Sequence, residues 1–217
     1  MHRFFIEVED IISEDVIELC NADTHAHLVK VLRVKVGEQI EMVATNALFI
    51  GSVSQILEKS VLVHVEEKKP HENESKIEVD IFQCIPKGQK LELILQKNVE
   101  LGVHAFYLVD SKRCIVDFKA KDIPKKLERY QKIVKEAAKQ SKRDVIPEVH
   151  GVMTLKDVAS KVKSYDLFLV LYEKEDAKNL KTQLKNALSE LTRVAVFIGD
   201  RKSVVLGKCV VVGGGRM

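Results

Sequence analysis

The polar run Glu66–Lys76 separates two parts of this chain that follow different hydrophobic periods, and that change of period constrains the fold most. The run contains Pro70 and almost no apolar residue. Before it, Phe4–Val8, Gln39–Ala44, Leu48–Ile56 and Ser60–Val65 are short, rich in β-branched residues and partly alternating, which predicts strands. One helix interrupts them. Asp23 is its predicted cap, Ala26, Val29, Leu32 and Arg33 lie at helical spacing, and Gly37 follows. Strands with this spacing predict a small barrel rather than a βαβ unit.

Beyond the run, strands and helices alternate. Ile77–Ile85, Ala105–Val109, Leu167–Leu171 and Val194–Ile198 read as strands. Gly88–Leu101, Pro124–Ser141, Thr154–Val162 and Ala177–Leu191 read as helices. The near-continuous apolar strands suit a parallel sheet covered on both faces, so this part is expected to be an α/β domain.

Charge follows the same division. Residues 1–75 carry 7 Lys and Arg against 14 Asp and Glu, and the remainder carry 28 against 18. Between Lys112 and Arg143 there are 12 basic and 4 acidic residues. Such a stripe is a footprint for a polyanion, although a Lys-rich helix is also an ordinary solvated face. No apolar stretch approaches the roughly 18 residues of a membrane span, and the acidic N-terminus does not read as a signal peptide. Cys20, Cys84, Cys114 and Cys209 form no C-x-x-C pair. Their scatter points to reduced thiols in a cytoplasmic protein, with neither a disulfide framework nor a metal site.

In open parallel sheets, ligands sit beyond the carboxyl ends of strands. That rule selects Leu171, Tyr172 and Glu173, then Ile198 and Gly199, and the loop from Cys84 to Gly88. No G-x-G-x-x-G follows the first strand of this part, and Pro86–Lys90 is no phosphate loop, which disfavours a dinucleotide oxidoreductase or P-loop NTPase. Lys97 and Glu100 share a helix face at i, i+3, as a surface ion pair would. Gln140-Ser141-Lys142-Arg143 ends the long helix, where cations favour the helix dipole whatever else they do. His25 and His27 on the short helix signify little alone.

Several of these segments, in this order, resemble the small-subunit (16S) ribosomal RNA uridine-N3 methyltransferases of the knotted SPOUT class. Met1–Phe5 resembles the family's opening, and His27–Arg33 followed by Gly37 resembles its first-domain signature. Pro86-Lys87-Gly88 with Gln96–Val103 resembles the next motif. Arg129–Ile133, Glu136–Ala138 and Gln140–Arg143 leading to Pro147 resemble the central one. The resemblance implies an α+β protein of two domains: a PUA-like barrel over 1–70 that grips RNA, and a SPOUT methyltransferase domain over 71–199. It implies S-adenosyl-L-methionine as cofactor, ribosomal RNA or the assembled small subunit as partner, and a homodimer. Arg33, Lys87, Lys97, Arg129 and Arg143 would hold RNA. Gln140, Ser141 and Glu100 would shape the uridine pocket, and Leu171, Tyr172, Glu173, Ile198 and Gly199 would hold the cofactor. Arg143, Lys97 and Glu100 are the catalytic candidates, with no base identified.

Family members follow Ile198-Gly199 with Pro-Glu-Gly-Gly-Phe and then the strand and helices that complete the knot. Here Gly199 is followed by Asp200-Arg201-Lys202-Ser203-Val204-Val205, and the faint echo at Val205–Lys208 comes too soon for a strand–helix–strand passage. Residues 200–217 resemble translated adapter sequence. The expectation is a partial methyltransferase domain with an incomplete knot, weak cofactor binding and no turnover. The alternatives are a catalytically inactive RNA-binding paralogue and a small-molecule α/β enzyme without RNA.

Overall fold

The structure, a computed structural model, describes residues 1–88, 90–110, 122–171, 191–199 and 209–211. These belong to two compact units, Met1–Glu74 with Lys142–Val145, and Ser75–Ser141 with Ile146–Met217. The first unit thus extends past residue 70 and takes in a short segment from the far end of a helix.

In the first unit the strands are β1 (His2–Phe5), β2 (Val16–Leu19), β3 (Gln39–Val43), β4 (Leu48–Ile56) and β5 (Val61–Lys69). They form a sheet ordered β1-β3-β4-β5-β2, with β1 parallel to β3 and the other pairs antiparallel. Phe4, Ile17, Leu19, Ile40, Met42, Val53, Val61 and Val63 form its core. A register shift falls at Ile50/Gly51, where a Cβ on Gly51 would meet the His64 carbonyl oxygen at 2.4 Å. Only glycine lets the two backbones approach there.

Three expectations need correction. The cap of the short helix α1 (Ala22–Ala26) is Asn21, not Asp23: Asn21 is extended, and its side chain accepts from the Asp23 and Thr24 amides, both at 3.1 Å. From His27 to Leu32 the chain widens into a π-helical turn closed by Arg33 in the left-handed region. The widening puts Leu28 wholly inside the core, with Val29 and Leu32 packed against it. Burying Leu28 contributes about 2 kcal/mol, which outweighs the cost of about 1 kcal/mol for a left-handed non-glycine residue. Finally, β5 runs four residues into the polar run, because Glu67, Lys68 and Lys69 pair with Ile50, Phe49 and Leu48. The Lys68 ammonium lies 5.5 Å from the Phe49 ring centre, so a polar strand is held by its neighbour.

The second unit contains β6 (Glu78–Cys84), α2 (Lys90–Glu100), β7 (Ala105–Asp110), α3 (Ile123–Gln140), β8 (Glu148–Thr154), α4 (Leu155–Lys161), β9 (Leu167–Leu171), β10 (Arg193–Ile198) and β11 (Cys209–Val211). The sheet order is β11-β9-β10-β6-β7-β8; β9, β10, β6, β7 and β8 are parallel, and β11 is antiparallel to β9. Phe82, Phe106, Phe168 and Leu108 are fully buried. Along β10, Ala195 and Phe197 join one apolar cluster while Val194 and Val196 join another, as a strand with both faces covered requires. Pro124 sits in the first turn of α3, and Thr154 caps α4 through a box with Asp157. The helix expected over Ala177–Leu191 lies outside the described residues, save Leu191.

Strands β2 and β8 have no counterpart in the sequence reading. β2 is only four residues long, and β8 reads Glu-Val-His-Gly-Val-Met-Thr and buries only Val149. As the last strand of its sheet it needs one good face and one partner, β7.

Candidate functional site

Register brings three strand ends together. Val170 pairs with Phe197, and Ile198 pairs with Gln83, so Leu171, Ile198 and Gln83 lie at the same carboxyl edge of β9, β10 and β6. Ile198 and Gly199 are half-buried. After β6 the chain stays on this edge: the Ile85 amide donates to the Val109 carbonyl at 3.1 Å, Pro86 is buried, and Lys87 projects to solvent before Gly88 turns with φ +75°. Gln83 is buried and donates to the Cys84 carbonyl at 2.8 Å. Three of the five expected cofactor residues, Leu171, Ile198 and Gly199, therefore sit at one edge. Tyr172 and Glu173 lie outside the described residues. Cys209 pairs with Leu171, so β11 reaches the same edge.

The helices α2 and α3 carry the expected cations, each with a carboxylate beside it. Lys97 reaches Glu100 at 2.8 Å on α2, Arg129 on α3 reaches Glu92 on α2 at 2.8 Å, and Lys132 reaches Glu128 at 2.8 Å. Lys139 pairs with Glu136 at 2.7 Å. Counting charge from Lys112 to Arg143 made the stripe look bare. The structure corrects this, because three of its partners, Glu92, Glu74 and Glu41, come from outside that interval. Gln140 is exposed at the end of α3, and Ser141 caps the helix by donating to the Ala137 carbonyl at 2.8 Å.

Arg143 departs furthest from expectation. It is 5% exposed, and its guanidinium donates to both Glu74 oxygens, at 3.2 and 2.5 Å. The same Glu74 accepts from the Asp144 and Val145 amides. Asp144 is itself buried, paired with Arg3 and accepting from the Glu72 and Asn73 amides at 3.1 and 2.9 Å. Arg3 also reaches Glu41, as does Lys142. These groups form one charge network inside the first unit, where Arg143 is a buried, ion-paired cation rather than an exposed one. Arg33, in the same unit, is exposed at the close of the π turn.

A second network has no trace in sequence spacing. At the amino ends of the strands, the buried Asp80 receives the Tyr165 hydroxyl at 2.7 Å, His104 Nδ1 at 2.9 Å and Arg193 at 3.3 Å. Burial first, then the bond to Asp80, pushes the Tyr165 hydroxyl far above the ordinary tyrosine range. Its four members are scattered in sequence and lie at the sheet edge opposite the candidate cofactor site, so it reads as a structural anchor.

A parallel sheet whose strands β6, β10 and β9 end at one carboxyl edge defines an α/β domain of the kind that binds ligands beyond such an edge. The profile of the RNA methyltransferase domain matches residues 73–200, which is most of the second unit. The ribosomal RNA small subunit methyltransferase E of Bacillus subtilis (strain 168) is 34% identical over 176 residues, covering 80% of this chain and 68% of that protein. The protein of the same name from Buchnera aphidicola subsp. Schizaphis graminum is 29% identical over 148 residues, covering 68% of this chain and 58% of that protein. The Neisseria gonorrhoeae enzyme of that name, solved bound to S-adenosyl methionine, superposes with a TM-score of 0.77 at 26% identity, covering 92% of this chain and 79% of that one. The chain belongs to the RNA methyltransferase family that contains the ribosomal RNA small subunit methyltransferases E.

Proposed function

We propose that this fold serves S-adenosyl-L-methionine-dependent methylation of N3 of a uridine in small-subunit (16S) ribosomal RNA. The observation that carries the reading is the shared carboxyl edge of β6, β10 and β9, with Leu171, Ile198 and Gly199 side by side. Half-buried apolar contact at Ile198 and backbone groups at two strand ends fit an adenosyl ligand. Tyr172 and Glu173 belong to the same proposed set on sequence grounds. When bound, the cofactor supplies an electrophilic methyl group on sulfur. The chain's own task is to hold the uridine in line and to favour loss of its imide proton. A nearby cation stabilises the negative charge that develops on the ring, and Lys97 and Lys87 are exposed for that role. Glu100 fixes Lys97, and Gln140 and Ser141 flank the pocket. The first unit acts as a PUA-like RNA grip using Arg33, the second as a SPOUT domain in a cytoplasmic homodimer.

A second reading, an RNA-binding protein without catalysis, is favoured by two facts: the family match ends at residue 200, and β11 lies antiparallel beside β9. Calorimetric titration with S-adenosyl-L-methionine separates the two. On the first reading the 217-residue chain is expected to bind the cofactor weakly but measurably, whereas no binding at all would favour the second.

A further inference from the structure

On α3, the residues Lys125, Arg129, Lys132, Glu136 and Gln140 recur at i, i+4, i+7, i+11 and i+15, which places them along one stripe, and all five are exposed. The opposite side of the helix buries Tyr130, Val134, Ala137 and Ala138. Lys125 and Arg129 are separated by about 6 Å along the axis and Arg129 and Lys132 by about 4.5 Å. Long cationic arms at that spacing can each reach a different phosphate of one strand. Two of these cations already hold carboxylates: Arg129 with Glu92 and Lys132 with Glu128, both at 2.8 Å. The Lys132–Glu128 pair is solvent-facing, with side chains 70% and 67% exposed, and in the other pair Arg129 is 63% exposed while Glu92 is partly buried at 28%.

We propose that Lys125, Arg129 and Lys132 form a phosphate track for single-stranded RNA, and that Glu92 and Glu128 are built-in competitors displaced when RNA binds. This rests on the reading above that the partner is RNA. An exposed ion pair favours its closed form by no more than roughly fivefold. An RNA strand offers several phosphates at once and releases condensed counterions on binding, so exchange runs toward RNA. The hydrogen bond from Lys132, with its charge, holds the Glu128 carboxyl below the usual glutamate range, so that competitor is ionised at neutral pH. The pairs weaken non-specific capture without blocking a longer RNA strand that supplies enough phosphates.

The test is an anisotropy titration of a labelled small-subunit ribosomal RNA transcript with the full chain, repeated over a salt series. Replacing the competitors, Glu92→Gln with Glu128→Gln, is expected to tighten binding by about threefold or more. Replacing the track, Lys125→Gln with Arg129→Gln and Lys132→Gln, is expected to weaken binding about tenfold or more. It also lowers the slope of log affinity against log salt by about 0.7 per lost contact. Misfolding cannot produce the gain, so the first variant keeps the test sound if the second is unstable. Glu58→Gln with Glu148→Gln controls for net charge at two other exposed carboxylates. An unchanged affinity in the competitor variant, or an equal gain in the control, overturns the track while leaving RNA as the partner. No salt-dependent binding by the wild-type chain overturns both.

Discussion

Arg3 and Asp144, 141 residues apart in sequence, form an ion pair with side chains only 3% and 1% exposed. Asp144 also accepts from the Glu72 and Asn73 amides, so its carboxylate ties together three stretches of the first unit. Asp144→Ala leaves two amides without their acceptor and the buried Arg3 guanidinium with only its longer contact to Glu41, and is expected to destabilise the protein by about 3 kcal/mol. Arg3→Met with Asp144→Leu removes both charges and costs less than the single change. Denaturant melts of the wild type and the two variants check this, and a double variant no more stable than Asp144→Ala would contradict it.

Tyr165 contributes to the alkaline pH dependence of the second unit. Its hydroxyl is held far above the ordinary tyrosine value, by burial and then by its bond to Asp80. A raised folded value means the neutral form is favoured in the native state. That stability is fully present below the unfolded value of about 10 and is lost as pH rises above it. Tyr165→Phe removes one of the donors to the buried Asp80, costing about 1–2 kcal/mol at neutral pH. It also makes stability fall less steeply above pH about 10. Thermal melts at stepped pH read both effects.

Arg33 is left-handed, with φ 53°, and exposed. Arg33→Gly removes the steric cost of a Cβ there and is expected to leave stability unchanged or raise it by up to about 1 kcal/mol. The same change removes a cation and is expected to weaken binding to small-subunit ribosomal RNA a few-fold. A loss of stability together with unaltered RNA binding would assign Arg33 to the fold alone.

Legibility in the sequence followed the physics of each element. Strands β9 and β10 are apolar on both faces, and their ends locate Leu171, Ile198 and Gly199 directly. Lys97 and Glu100 were readable because helical spacing is local. Strands β2 and β8 were not, since β2 spans only four residues, β8 is interrupted by polar residues and a glycine, and each takes much of its definition from its pairing with β5 or β7. The burial of Arg143 was not readable, because nothing near it in sequence announces Glu74 as its partner. The Asp80 network joins positions 80, 104, 165 and 193, and only the sheet brings them together. Charge counts likewise could not see Glu92 beside Arg129.

Methyl transfer tests the central claim most directly. Labelled S-adenosyl-L-methionine and small-subunit ribosomal RNA would be supplied to the 217-residue chain and to a chimera. In the chimera, the Bacillus subtilis relative's own continuation replaces everything after Gly199, and the modified nucleoside is identified by digestion and mass spectrometry. The account predicts 3-methyluridine from the chimera and little or none from the 217-residue chain. No transfer by a folded, RNA-binding chimera, or a product other than 3-methyluridine, would contradict the proposed reaction; equal activity in both proteins would contradict the role given to the tail.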